Sequence, residues 1–352
     1  MPWRPGSSAS VRALAEAHAS GELEIKARAL LALGSALTHA ARGRDEEASA
    51  ALHEAVAIAG RVERPDVAAA AHRELAWIEI LRARFDRGLA QIDAAEQIEG
   101  PHYFHDAARG ACAYQAGRYE HGLELFTAAA EGAERLGDRR GLALCLGELG
   151  AIHLLRDEVD AASSALERAC VAARELAWNA YVPYPEALLG IVDVRRGDLD
   201  AARERLEHAF ALGCQIRDCC WEGISAAGLA LLDEAEGEIA SAAERFDDVR
   251  RRSVREPDAW LWGHAFVLDL ACAFGVRHGS PKVEGWCRDL ETLGARTMMR
   301  EFLARAYLYR AELGDGEALR AAELVADEVD NLALHRRLVT TRGTTAATLE
   351  PR

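Results

Sequence analysis

The sequence predicts an all-α chain built as a solenoid of about eight helical hairpins. Three observations predict it: the composition, a five-position template recurring about every 40 residues, and glycine where one helix of the template must give way to the next. The chain has 352 residues, half of them apolar and only 6% aromatic, and alanine is visibly the commonest apolar type. Alanine costs no side-chain entropy in a helix and β-branched residues are comparatively few, so strand-rich folds are disfavoured. The length exceeds one ordinary domain, and the template resolves the excess into one elongated array rather than two globules.

In chain order the template reads Ala36-Gly43-Ala48-Leu52-Ala55, Ala76-Ala83-Gly88-Ile92-Ala95, Gly110-Gly117-Gly122-Phe126-Ala129 and Gly150-Asp157-Ala162-Leu166-Ala169. It continues as Gly190-Gly197-Ala202-Leu206-Ala209 and Ala230-Gly237-Ala242-Phe246-Val249. Two weaker copies follow, Ala271-His278-Val283-Cys287-Leu290 and Tyr307-Gly314-Leu319-Glu323-Ala326, with a histidine at a turn position and a glutamate at an apolar one. The first positions lie 40, 34, 40, 40, 40, 41 and 36 residues apart.

Each template position has a mechanical reason. The small residue of the first helix lets the second helix approach closely. Gly43, Gly117, Gly197, Gly237 and Gly314 stand where a helix should stop, since glycine takes the left-handed conformation of a helix end without penalty. Acidic segments such as Asp45-Glu46-Glu47 then open the second helix, where they oppose its dipole. The apolar and small positions four and three further on form that helix's inward stripe.

The five offsets resemble the tetratricopeptide repeat over about residues 26 to 335, clearly in copies one to six, although most units here are near 40 residues rather than 34. The resemblance implies a right-handed superhelix. The longer spacing, Leu149-Gly150, Leu189-Gly190 and Gly-Asp-Leu-Asp-Ala-Ala at 197–202 also resemble the sensor arrays of LuxR-type ATP-dependent transcriptional regulators and their actinobacterial relatives. The stretch from Trp260-Leu261-Trp262 to His335 is similar to the end of such arrays. That likeness implies a sensor of a ligand or protein. The phosphate loop and DNA-reading domain of those regulators have no counterpart here. The expected layout is a flexible start over 1–10, the array over 11–338 with weaker repeats from 259, and a flexible tail over 339–352.

Charge and covalent chemistry narrow the function. With 42 basic and 57 acidic side chains the net charge is −15, which argues against direct binding to nucleic acid or anionic membranes. The longest uncharged stretch, Ala29 to Ala41, is too short to span a bilayer, and no signal peptide opens the chain. Eight dispersed cysteines without a C-x-x-C pair suit a reducing cytoplasm and buried packing. Catalytic signatures for zinc hydrolysis, serine nucleophiles and dinucleotides are missing, so neither catalysis nor a cofactor is expected.

If the family geometry holds, the first helices line a concave groove. The residues expected to face it are Arg73, Trp77, Ile80, Phe104, Tyr114, Tyr184, Ile191 and Arg195, a mainly apolar and aromatic set. The uncharged connection Trp178-Asn179-Ala180-Tyr181-Val182-Pro183-Tyr184-Pro185 places Trp178 and Tyr181 as rim candidates, with prolines that resist helix until Glu186. An apolar peptide helix, another protein segment or a small hydrophobic ligand fits such a groove. Plain packing of these side chains between helices is the competing account.

Two clusters support rival readings. His102, His105 and Asp106 are weak metal or acid–base candidates, and Cys219-Cys220 with Cys214 a weaker soft-metal or redox site. Either would suit an enzyme built on the solenoid. Imperfect end hairpins would suit self-association, including a homodimer. Arg250-Arg251-Arg252 reads as a basic helix end opposing its dipole. The favoured expectation is a non-catalytic sensor or scaffold that binds a peptide, protein or small apolar ligand in a regulatory role.

Overall fold

The computed structural model describes residues 12, 22–40, 43–255 and 260–349, and the expected flexible start at 1–10 lies outside them. Seventeen helices and no strand occur among the described residues. They form eight hairpins: α1 (Leu23–Ala40) with α2 (Asp45–Arg61), α3 (Pro65–Leu81) with α4 (Phe85–Glu99), α5 (Tyr103–Gln115) with α6 (Tyr119–Leu136), and α7 (Arg139–Leu155) with α8 (Val159–Glu175). Then come α9 (Pro183–Arg196) with α10 (Leu199–Ile216), α11 (Cys219–Ala235) with α12 (Ile239–Arg252), α13 (Leu261–His278) with α14 (Val283–Arg296), and α15 (Arg300–Glu312) with α16 (Ala318–Ala326). A last helix, α17 (Leu332–Leu349), packs on α15 and α16 and runs through the expected array end at Leu338.

The template explains the stacking. Second-helix anchors such as Leu52, Leu166, Leu206 and Phe246 are wholly buried, each worth about 2–3 kcal/mol of apolar burial. They fit because the facing position is small: a Cβ at Gly190 would lie 2.6 Å from Leu206 Cγ. First helices also touch the first helices of neighbouring units, α9 against α11 and α11 against α13, and so form a continuous inner wall. The architecture is a right-handed α-solenoid of tetratricopeptide-like hairpins.

Turn chemistry follows the template through six units. Gly43, Gly117, Gly197, Gly237 and Gly314 all have positive φ, and Ala83 and Asp157 take the same left-handed conformation at the matching positions (φ 53° and 64°). The seventh unit differs. Its helix α13 runs one residue longer, so Gly279 rather than His278 is the left-handed turn residue. In the eighth unit the buried small residue is Ala306 rather than Tyr307, and the stripe of α16 is Ala318–Ala322–Ala326, leaving Glu323 to pair with Arg342. The glutamate at the apparent apolar position is thus a register shift.

The solenoid closes on itself. The loop after α16 returns to the third and fourth units, where Asp330 N–H donates to the Gly117 carbonyl at 3.1 Å. The side-chain amide of Asn331 donates to Leu155 O at 3.0 Å and Glu301 Oε1 at 2.8 Å. Farther in, Tyr114 of unit three meets Trp262 of unit seven edge to face, 5.6 Å between ring centres. Tyr184 of unit five, Trp221 of unit six and Trp260 before α13 likewise meet one another, 5.5 Å separating Tyr184 from Trp260 and 5.9 Å Trp221 from Trp260.

Candidate functional site

The connection between units four and five builds one wall of a cavity beside these rings. Helix α8 stops at Leu176, Ala177 turns left-handed at φ 48°, and Trp178 N–H donates back to Ala173 O. The two turns that follow lay Trp178 on Tyr181 in a stack, 4.5 Å between centres and 19° between planes. The prolines do not delay the helix to Glu186: α9 starts at Pro183, because a first-turn N–H has no intrahelical acceptor to lose. Tyr181 then donates to the Leu144 carbonyl at 3.3 Å, its hydroxyl sitting where any side chain at Gly147 would stand.

Five further units complete the walls. Trp77 comes from α3, Glu148 from α7, Trp221 from the start of α11 and Trp260 from just before α13; Thr38 and His39 of α1 close the mouth. The space between them is about 50 Å³. Tyr184 ties the rings together, 5.0 Å from Trp221 and 5.5 Å from Trp260. Trp221 Nε1 donates to Ala180 O at 2.9 Å, whereas the buried Nε1–H of Trp260 has no acceptor.

Glu148 is the acidic residue of the cavity wall and is 4% exposed. Tyr114 donates to its Oε2 at 2.6 Å and Tyr184 reaches the same oxygen at 3.5 Å. Burial pushes its carboxyl up to about 7, against the pull of the two phenols, because a low-dielectric site disfavours the anion. Burial likewise raises both phenols well above their usual range. No lysine, arginine or histidine among the described residues pairs with Glu148. His39, across the cavity, is held by Glu74 at 2.8 Å.

The residues expected to form one groove separate into four groups. Trp77, Trp178 and Tyr181 meet in the cavity wall. Arg73 and Phe104 stand beside it, with Phe104 6.1 Å from Trp77 and the Arg73 guanidinium 6.0 Å from Phe104 and paired with Glu99. Ile80, Tyr114, Tyr184 and Ile191 are at most 1% exposed, so they build the wall and present no surface. Arg195 lies at the other end of α9, in a cleft with Asp269, Arg277, Arg305 and Arg337. It bonds Leu154 O and Asp157 Oδ1, both at 3.1 Å.

The rival clusters are committed to structure. His102 caps α5, its Nδ1 accepting from Phe104 N–H, and desolvation with Arg73 nearby holds its pKa down. His105 is buried with Nε2 on Glu99 at 3.0 Å, and Asp106 adds no third ligand: no group of three metal-binding side chains occurs among the described residues. Cys219 and Cys220 are buried at the start of α11, where Cys220 Sγ accepts from Trp260 N–H at 3.1 Å, while Cys214 is exposed. Arg252 and Arg255 of the basic run grip Glu222 at 3.0 and 2.9 Å. A wider cleft of about 750 Å³ between α14 and α15 is lined by charged arms such as Arg310, which Glu291 and Asp315 already neutralise.

The fold and its inner wall define a tetratricopeptide-like solenoid with an aromatic cavity among its first helices. No protein-family model matches the chain, and a search of curated proteins finds no match. Solved structures do match. A Rap protein complexed with competence and sporulation factor aligns with TM-score 0.64 at 13% identity, over 92% of this chain and 99% of the other. NprR in complex with its cognate peptide NprX aligns with TM-score 0.55 at 12% identity, again over 92% and 99%. At such identities the likeness is one of fold. No helix among the described residues is long and apolar enough to cross a membrane.

Proposed function

We propose that the chain is a non-catalytic regulatory binding module whose ligand, a peptide or the end of a protein segment, enters the aromatic cavity. The observation that carries this reading is the convergence of Trp77, the Trp178–Tyr181 connection, Trp221 and Trp260 from four parts of the array on one cavity with a buried carboxylate. Large aromatics in a desolvated pocket are where binding energy concentrates. The two structures of similar fold hold, respectively, competence and sporulation factor and a cognate peptide, which supports a peptide ligand here. The sequence likeness to LuxR-type sensor arrays supports a regulatory role, with occupancy altering how neighbouring units pack.

The test uses a synthetic library of short peptides, with binders identified by native mass spectrometry and their affinities measured on the full chain. Trp178→Ala and Trp77→Ala should each weaken the selected peptide by about tenfold or more, since anchors of this type are worth about 2 kcal/mol. Arg195→Ala, at the other end of α9, should leave it unchanged. Unaltered affinity in the double tryptophan variant would place the binding surface elsewhere.

A further inference from the structure

Resting on that reading of the cavity, we propose that the group it receives is a primary ammonium, the free amino terminus of a peptide, seated against Glu148 and boxed by indole faces. Three observations converge on this chemistry. Both phenols that reach Glu148 share Oε2, leaving Oε1 without a bond in the wall of the cavity. Buried carboxylates are ordinarily paired, and this one has no cation from the protein. The indoles of Trp77, Trp221 and Trp260 stand in the same wall, and such rings attract cations; Trp178, stacked on Tyr181, already holds the Arg140 guanidinium 4.4 Å from its ring.

Size narrows the group further. The space, about 50 Å³, holds roughly three to five waters, enough for an ammonium with its α-carbon and too little for another ring. The peptide end that the proposed function brings to the cavity carries such an ammonium as its amino terminus.

Proton release accompanies this binding. The groups facing Glu148 are Tyr114 from α5, Tyr184 from α9, Tyr181 from the connection and Cys145 on its own helix; burial raises all four, so they stay protonated near neutrality. His39 is engaged with Glu74, and Arg140 lies at Trp178. Glu148, raised to about 7, is therefore the group that loses a proton when the ammonium arrives, and affinity falls as the solution is acidified below that point.

Four cavity indoles make intrinsic fluorescence the readout. The full chain is titrated at pH 7.5 with leucinamide, N-acetyl-leucinamide and 4-methylpentanamide, the last two lacking the charge. Leucinamide should bind about tenfold or more tightly than either neutral analogue, the worth of a charge-assisted hydrogen bond. Glu148→Gln, shown folded by circular dichroism, should erase that preference, and wild-type affinity should drop at pH 6. Equal binding of charged and neutral probes, a preference that survives in Glu148→Gln, or no response to any probe overturns the ammonium assignment. The broader reading is judged separately: it stands if the library peptide still depends on Trp77 and Trp178, and falls if it does not.

Discussion

The carboxylate of Asp330 accepts the backbone N–H of Tyr119 at 2.6 Å and that of Glu120 at 3.1 Å, so the amino end of α6 is capped from 211 positions further along the chain. The local residue at that end, Arg118, makes no capping bond of its own. Asp330→Ala should lower stability by about 1–2 kcal/mol in urea unfolding, the ordinary worth of an N-cap. Asp330→Asn, which keeps an acceptor oxygen, should recover most of it. Amide exchange at Tyr119 and Glu120 should speed up in the alanine variant; unchanged exchange would mean the returning loop does not hold α6.

Glu148 makes stability depend on pH in the reverse of the usual carboxylate sense. Its folded pKa, about 7, exceeds the ordinary 4.5, so folding favours the protonated form. The stabilisation is complete below about pH 4.5 and is lost as pH rises through 7. The loss is on the order of 3 kcal/mol. Glu148→Gln cannot ionise, so its stability relative to wild type should improve between pH 5 and pH 8. Parallel urea curves at both pH values that show no such divergence would contradict the buried, unpaired state of this carboxylate.

Close approach of helices depends on glycine in the fifth unit. Gly190→Ala drives a methyl group into Leu206, and the overpacked pair should cost about 1–3 kcal/mol by denaturant midpoint. Ala76 occupies the same template position in the second unit and is wholly buried, so the penalty reports the local depth of Leu206 and not a general intolerance of alanine. A variant as stable as wild type would show that α9 and α10 slide apart freely.

Backbone strain offers a stabilising change. Glu63 is exposed and turns left-handed at φ 55°, a conformation that costs a residue with a Cβ about 1 kcal/mol or more. Glu63→Gly should raise stability by about 0.5–1 kcal/mol in thermal or urea unfolding. A lower midpoint would show that the turn between α2 and α3 is held by the glutamate side chain.

The hairpins were legible because their information is local. A small residue, a turn and an apolar stripe repeat within each unit, and Leu52, Leu166 and Phe246 occupy the buried places that their spacing implies. The seventh and eighth units slipped by a residue where α13 gains one residue before Gly279, a length change that five offsets cannot register. In the cavity, Trp77, Trp178 and Tyr181 could be picked out, since they lie at groove positions or in an uncharged aromatic connection. Glu148, Trp221 and Trp260 were missed as site residues. Glu148 reads as a polar helix residue two places before Gly150, and it becomes buried only because Tyr114 and Tyr184 arrive from other units. Closure decides the rest, and no short-range pattern announces that Asp330 will meet Tyr119.

That meeting also sets an order of events during synthesis. A stacked array can settle unit by unit as it leaves the ribosome, since each hairpin needs only its neighbour. Here the amino end of α6 and the carbonyl of Leu155 must wait for Asp330 and Asn331 before their bonds are complete. A chain cut short ahead of Asp330 is therefore left unfinished in its third and fourth units, far from the cut.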